Sequence, residues 1–478
     1  MSVFNIKNSI YLLTSLLLLS GFLRFYNIGR EDLWFDEMVS FWVADPEISI
    51  LETFNRHFST EAGPIIYNLF LKFFFELTKY DPAYGRSLSS IFNILGIYLS
   101  FILCSKITNN NNSKFLFLFF ASINIYLIIY SQEIRPYSMI FFLLSLYLLA
   151  IHHLIYKKNL RYFEYILFYF IQTLLILTHQ FCLLIFFAVI TYLIFNFILN
   201  KKRQKNLELL IFFSLLTYLI YNLFFNININ NFPEWITQPD IKFYTNFYFS
   251  KFFGSRILGI IHFIILIILI YRYKKKLAEK ELVFFKIFIL IIIISYSLPI
   301  IYGYVFRPII FPRYLIYLLI PILLIISIFL YKIKNTKMRN IIIIFLIILN
   351  FGNLLTESTI QQFYKDTPLY KPDIKNTLKT ISNSNNPNYF IDISDLENQN
   401  QIRAIAHYLN FVSSKFNFNT SYISKEKIRY KNEVWTICLT TISKDNCKTT
   451  NNIFKDEYKE NIYYSNINLK KLDVINEN

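Results

Sequence analysis

Long apolar runs rich in Ile, Leu, Phe and Tyr alternate along the chain with short breaks carrying Lys, Arg or Asn. A run of about 17–25 apolar residues has the helical length needed to cross a hydrocarbon core. Eleven runs meet that pattern and are expected to be transmembrane helices: residues 9–27, 87–105, 115–130, 137–156, 162–178, 181–199, 207–226, 257–271, 282–302, 314–331 and 340–355. A twelfth stretch, residues 64–77, is shorter and interrupted by Lys72 and Glu76. Its length fits a short span or a helix lying in the interface.

The charged breaks decide between these. With 64–77 on the surface, one set of breaks falls inside. These are Lys106 and Lys114; Lys157, Lys158 and Arg161; Lys201 to Lys205; Arg272 to Lys280; and Lys332 to Arg339. That is the positive-inside pattern at every inner turn, and a spanning 64–77 would reverse it. The N-terminus is therefore expected inside and the C-terminal tail outside. The first span has no A-x-A-like cleavage site and continues into Arg24, as an uncleaved anchor would.

Composition agrees. Of 478 residues, 55% are hydrophobic, 19% aromatic and only 17% charged, against about 25% charged in soluble domains. The net charge of +17 could indicate a nucleic-acid partner, but nearly all of it sits in the inner breaks and serves orientation. Residues 30–86 are the one outer region where the sign reverses, with ten acids against five bases. Four cysteines in the whole chain exclude a disulfide scaffold or a Cys-rich zinc protein. From about 356 the composition shifts to Asn, Lys, Ser and Asp. Helix-like 373–381 and 399–411 and strand-like 389–393 and 434–439 point to a small α/β domain over 356–478. The division expected is 1–355 for the spans, including the first outer loop 30–86, and 356–478 for the tail. Residues 226–256, with Pro233, Trp235 and Pro239, read as an irregular outer loop with short helices. Cys438 and Cys447 flank a possible hairpin and could form a disulfide if that side is oxidising.

Candidate chemistry gathers on the outer side. Leu33-Trp34-Phe35-Asp36-Glu37 puts two carboxylates after an aromatic pair at headgroup level, where a buried acid is costly unless it holds a cation, a proton or a hydroxyl. The blander reading is an acidic loop capping the helix exit. Ser131-Gln132-Glu133-Ile134-Arg135-Pro136 is a tight turn between the third and fourth spans, with Pro136 suited to a helix start. It fixes Glu133 and Arg135 at the same depth as Asp36, although such a pair can also be plain surface charge. Arg307 and Arg313 lead into the tenth span, where Arg and a helix N-terminus together suit a phosphate; snorkelling to headgroups is the alternative. His179, in a short turn, is as well explained as a polar turn residue. His57 and Glu61 precede the interfacial helix and could line the same cavity.

At these residues the chain resembles a family. Arg24-Phe25-Tyr26-Asn27-Ile28-Gly29, Leu33-Trp34-Phe35-Asp36-Glu37, Gly63-Pro64-Ile65-Ile66-Tyr67, Arg86-Ser87-Leu88-Ser89, Tyr130 to Tyr137 and Pro312-Arg313-Tyr314 are similar, in that order, to the bacterial branch of the protein O-mannosyltransferase and lipid A aminoarabinose transferase superfamily. These are family 39-like glycosyltransferases of the GT-C fold. Gly63-Pro64 departs from the paired prolines of many relatives, which puts the acceptor-side loop in question. The resemblance covers about 30–320 well and the tail poorly; with the pattern of spans and tail it gives an expected all-α polytopic membrane protein of GT-C type, in a bacterial plasma membrane, carrying a small extracytoplasmic α/β domain. It implies transfer of a sugar from a polyprenyl-phosphate donor, on the extracytoplasmic face, to an envelope glycan, lipid or protein acceptor; single displacement by the acceptor would invert the anomeric centre of the hexose or pentose. It makes Asp36 the catalytic acid position, Glu37 its neighbour and Glu133 the second acidic position. Arg135 stands beside Glu133, and Arg313 matches the basic residue placed to meet the carrier phosphate. Arg307, Tyr137, His179, His57 and Glu61 are candidate substrate contacts from their positions in the chain. Asp36 and Glu133 could hold Mg²⁺ or Mn²⁺. A transporter or lipid-linked sugar flippase is the competing class, but such proteins keep ionisable groups near the midplane, and here the spans are nearly free of charge.

Overall fold

The computed structural model describes residues 3–61, 63–157, 159–201, 203–225, 236–356, 361, 369–392, 399–423, 425–428, 433–441 and 454–474. The helices in chain order are α1 (Val3–Phe25), α2 (Phe35–Val43), α3 (Ile50–Thr60), α4 (Ile66–Leu77), α5 (Pro82–Ile107), α6 (Asn111–Ile123), α7 (Ile125–Ser131), α8 (Tyr137–Tyr156), α9 (Tyr162–Ile176), α10 (Cys182–Asn200), α11 (Lys205–Phe224), α12 (Ile241–Asn246), α13 (Phe249–Phe252), α14 (Arg256–Tyr273) and α15 (Glu279–Val305). A 3-10 turn, Pro312–Leu318, leads into α16 (Leu319–Leu330), followed by α17 (Thr336–Leu355), α18 (Ile374–Ser382), α19 (Gln399–Phe416) and α20 (Lys425–Ile428). The strands are β1 (Asn388–Ile391), β2 (Ser421–Tyr422), β3 (Glu433–Leu439), β4 (Phe454–Tyr464) and β5 (Ile467–Val474).

This is a multi-pass membrane protein. Among the described residues nine helices are long and apolar enough to cross a bilayer, or ten when a bent pair counts as one span. Each of the eleven expected spans is helical, with two refinements. The third is broken: α6 and α7 meet at 55°. The fifth, α9, has 15 residues, or roughly 22 Å at 1.5 Å per residue, short of a hydrocarbon core of about 30 Å. The stretch 64–77 contains α4, which has 12 residues and is too short to span.

The chain packs as two compact units. The first comprises residues 1–26, 62–67 and 86–364; the second comprises 27–61, 68–85 and 365–478. The first outer loop, grouped on sequence with the spans, thus packs mostly with the C-terminal region. Within the first unit α10 lies along α15, α9 along α11, and α6 against both α1 and α16. The 3-10 turn and α16 form the centre of the bundle, with 94% of that span buried.

In the second unit, β2-β1-β3-β5-β4 form one sheet, parallel from β2 to β3 and antiparallel from β3 to β4. The α18, β1, α19 and β3 elements fall where the sequence pattern placed them. The β4–β5 hairpin was not expected, because Lys455, Asp456, Glu457, Lys459 and Glu460 break the apolar alternation of β4. β4 lies at the edge of the sheet, where charged residues are generally tolerated. Cys438 on β3 is disulfide-bonded; Cys447, Pro233 and Trp235 lie outside the described residues. Cys104 and Cys182 are buried free thiols.

The link between loop and tail inside this unit is aromatic. Phe41 of α2 stacks on Tyr80 at 3.9 Å and meets Tyr408 and Phe411 of α19 edge-on at 5.9 and 5.1 Å. The Tyr80 hydroxyl donates to the Phe41 carbonyl at 2.8 Å and lies 2.8 Å from His407 Nε2. Burial raises the Tyr80 phenol well above its usual value and lowers the His407 imidazole, with Asp45 nearby opposing the His407 shift. Both groups are neutral near pH 7, which suits the apolar packing around them.

Candidate active site

The turn between α7 and α8 is held from behind by small polar side chains. Ser138 Oγ donates to the Tyr130 carbonyl at 3.0 Å and Asn93 Nδ2 donates to Ser138 Oγ at 3.3 Å. Ser90 Oγ reaches the Ser131 carbonyl at 2.9 Å, and Gln132 Nε2 donates to the Arg24 carbonyl at 3.1 Å. Carbonyls and amides at the end of a helix need partners where water is scarce, and these side chains supply them. The turn therefore holds one shape, with Glu133 buried (8% exposed) and Arg135 half-buried.

Tyr137, the first residue of α8, opens a cluster built from sequence-distant rings. Its ring lies 6.3 Å from His179 and 6.4 Å from Tyr314; His179 is 5.0 Å and Phe181 5.1 Å from Tyr314. Arg313 enters this cluster from the second position of the 3-10 turn. Its guanidinium carbon is 4.9 Å from the Phe311 ring centre, 5.8 Å from Tyr314 and 6.0 Å from Tyr137, and the residue is 8% exposed. Ring faces attract a cation by about 0.5–2 kcal/mol each. A guanidinium stacked this way hydrogen-bonds through its edge, the geometry that matches a phosphate. His179 Nδ1 accepts from the Phe181 backbone amide at 3.2 Å, so the neutral ring carries its proton on Nε2. Arg307 is half-buried in the segment that precedes the 3-10 turn.

Asp36, Glu37, His57 and Glu61 belong to the second unit. Asp36 and Glu37 occupy the first turn of α2, where the helix dipole favours a carboxylate. Glu37 is fully buried; its Oε2 accepts from the Trp34 backbone amide at 3.3 Å and from Lys371 Nζ at 2.6 Å. Asp36 is half-buried beside it. The other acids of the loop hold the C-terminal region too. Glu31 accepts from the Tyr370 amide at 2.7 Å, and Asp32 from the Lys375 amide and the Tyr408 hydroxyl, both at 2.9 Å. His57 is buried in α3, its Nδ1 accepting from Asn68 Nδ2 at 3.0 Å. Glu61 caps that helix, its amide donating to the His57 carbonyl at 2.8 Å.

The structure thus gathers Tyr137, His179 and Arg313, with Glu133 and Arg135 in the turn just before Tyr137, and separately pairs Asp36 with a neutralised Glu37. Sequence reasoning missed Lys371, which nothing local distinguishes from the other lysines of the tail. It also gave no role to Phe311, Tyr314 and Phe181, although two of them flank Arg313. Among the described residues no group of three or more His, Cys, Asp or Glu side chains is placed to hold a metal ion.

Neither a family model nor a curated protein sequence matches the chain. Solved structures do. ArnT from Cupriavidus metallidurans in the apo state superposes with a TM-score of 0.62 at 10% identity, covering 98% of each chain. The same protein bound to undecaprenyl phosphate gives 0.59 at 10% identity over 97% of each chain. The archaeal oligosaccharyltransferase AglB from Archaeoglobus fulgidus, in complex with an inhibitory peptide and a dolichol-phosphate, gives 0.57 at 12% identity, over 91% of this chain and 70% of that one. Both are GT-C glycosyltransferase folds. The chain has the GT-C fold. At 10–12% identity the likeness carries architecture alone, and the chemistry rests on the residues of this GT-C protein.

Proposed function

We propose that the chain is a membrane glycosyltransferase that moves a sugar from a polyprenyl-phosphate carrier to a lipid, glycan or protein acceptor on the extracytoplasmic face of a bacterial plasma membrane. The observation that carries this reading is Arg313. A buried guanidinium, stacked on rings at the start of a helical segment inside an apolar bundle, is a built receptor for an anionic headgroup. Two of the similar structures hold polyprenyl-type phosphates, which supports a phosphate on an isoprenoid chain as the ligand here.

The chemistry follows from what the transfer needs. An acceptor hydroxyl must lose a proton as it attacks the anomeric carbon, and a carboxylate in hydrogen-bond reach performs that task. Asp36 takes this role. Glu37 is neutralised by Lys371 and contributes by holding the start of α2. The leaving group is already a phosphate, so it needs charge stabilisation more than protonation. Arg313 supplies it, with Arg307 and Arg135 as further cations. A single displacement inverts the anomeric centre. A divalent cation, if one is held, would add Lewis-acid stabilisation of the phosphate. Transfer measured with and without EDTA decides whether a divalent cation takes part.

Radiolabelled sugar on a polyprenyl phosphate, offered to membranes with the wild-type protein, should appear in an envelope fraction. Asp36→Asn should lower that transfer by about 10²–10⁴-fold while the protein stays folded in the membrane. Labelled lipid that crosses the bilayer with its sugar still attached would instead identify a flippase.

A further inference from the structure

We propose that Arg24 is a positioning residue for the transfer reaction: it closes the broken end of α6 and so fixes the Tyr130–Tyr137 turn that carries Glu133 and Arg135. The inference rests on the glycosyltransferase reading for its consequence, but its geometry stands alone.

Arg24 lies near the end of α1 and is fully buried. An arginine inside a membrane bundle is costly, so its partners show what it is for. Nε donates to Asn93 Oδ1 at 2.8 Å, NH1 to the Ser20 carbonyl at 3.1 Å and the Ser122 carbonyl at 2.9 Å, and NH2 to the Ala121 carbonyl at 3.1 Å. All these acceptors are neutral. Ala121 and Ser122 stand in the last turn of α6, just before the chain breaks at Asn124.

The break explains the arginine. A continuous helix would satisfy the 121 and 122 carbonyls with amides four residues on, but Asn124 is extended (φ −66°, ψ 118°) and the chain turns by 55°. Two carbonyls thereby lose their amide partners inside a bundle whose backbone polar groups must be satisfied by the protein itself. Arg24 takes both with one planar fork. Asn124 secures the other side of the break, its Oδ1 accepting from the Leu127 amide at 3.0 Å and its Nδ2 donating to the Phe252 carbonyl at 3.0 Å.

Two routes then lead from Arg24 to the turn. One runs through Asn93, whose Nδ2 donates to Ser138 Oγ, which donates to the Tyr130 carbonyl. The other starts at the Arg24 carbonyl, which accepts from Gln132 Nε2 at 3.1 Å and Ser90 Oγ at 3.3 Å. Arg313 meets the far end of this turn, at the Tyr137 ring 6.0 Å away, so loosening Arg24 should disturb the geometry of reaction more than the capture of the donor.

The test uses the full-length protein in detergent or nanodiscs, with Arg24→Met, Arg24→Lys, Ser138→Ala and the Arg24→Met/Ser138→Ala pair. Arg24→Met is expected to lower kcat by up to about 10²-fold, the scale of a 1 Å misplacement, with the KM for the polyprenyl-phosphate sugar within about twofold. Arg24→Lys should recover part of the loss, because it keeps the charge and fewer hydrogen bonds. Ser138→Ala should cost less, and the two losses should not add, since they act on one network. Should Arg24→Met fail to fold, Ser138→Ala and Arg24→Lys still carry the comparison. Hydrogen exchange provides a readout independent of substrate: amides of α7 and the following turn should exchange faster in the Arg24 variants while those of α10 do not. A uniform rise through all spans, a loss confined to KM, or additive losses would overturn the proposal. A wild type that transfers nothing would count against the donor assignment, while the exchange pattern would still decide the role of Arg24.

Discussion

Buried charge is held in two ways in this molecule, the first at Arg24 and Arg313 among the spans and the second at Glu37 and Asp45 in the second unit, although buried Glu281 among the spans also meets Lys332 at 2.6 Å and Lys72 of the second unit meets carbonyls. In the first, Arg24 is held by backbone carbonyls and an amide, and Arg313 lies on three aromatic faces. In the second, Glu37 meets Lys371 at 2.6 Å and Asp45 meets Arg56 at 3.5 Å. The difference follows from the surroundings. A bundle in lipid has unsatisfied carbonyls wherever a helix breaks and few spare acids, so a cation there finishes the backbone. A domain built from polar sequence can bring two charges together, and each makes the other's burial tolerable. A buried arginine among the spans thus marks a backbone device or an anion receptor, whereas a buried acid in the second unit marks a tertiary clamp.

The largest effect that could break this contrast is at the receptor. Arg313→Ala should lower kcat/KM for the polyprenyl-phosphate sugar by about 10²–10³-fold, the usual cost of losing a charge-stabilising donor. Lysine at the same position should recover little, since it cannot stack and fork as arginine does. An alanine variant with near-normal kcat/KM would make Arg313 a structural residue only.

The clamp comes next. Lys371→Met leaves the Glu37 carboxylate buried and uncompensated and should lower the stability of the second unit by about 3–5 kcal/mol, read as a drop in thermal unfolding temperature. Adding Glu37→Gln should recover most of that loss. If the single variant unfolds like the wild type, Glu37 is not held by this pair and the contrast fails.

The smallest effect sharpens the picture of the aromatic seam. Burial lowers the His407 pKa, so the unfolded chain binds a proton before the folded one does. Stability from neutral His407 is therefore fully present above the unfolded value of about 6.5 and is lost as pH falls below it toward the lowered folded value. Thermal unfolding measured at pH 7.5 and 5.5 should show a decline that His407→Gln reduces; an identical decline in both proteins would remove His407 from the account.

How much was legible in the sequence follows the same division. The spans and the segments around Asp36, Glu133 and Arg313 could be read directly, because hydropathy and charge asymmetry act locally and each motif is contiguous. The 55° break in the third span was hidden, since Asn124 sits in an otherwise apolar run and looks like an ordinary polar interruption. Arg24 was visible as a residue but not as a partner of carbonyls about 97 positions away. Lys371 could not have been found at all: its acceptor lies 334 residues earlier, and only the folded second unit brings loop and tail together. Lys72 shows the converse. In sequence it interrupts an apolar stretch, yet it is buried, with its ammonium donating to the Asp45 and Ile48 carbonyls at 2.7 Å.

In the proposed reaction Asp36 is the base that makes the acceptor a nucleophile toward a lipid-linked sugar. The direct measurement is the transfer of labelled sugar from a polyprenyl phosphate into an envelope acceptor by purified, reconstituted wild-type protein and by Asp36→Asn at matched folding and donor binding. Transfer by the wild type and a loss of about 10²–10⁴-fold in the variant is the predicted result. Near-equal rates in the two proteins would contradict it.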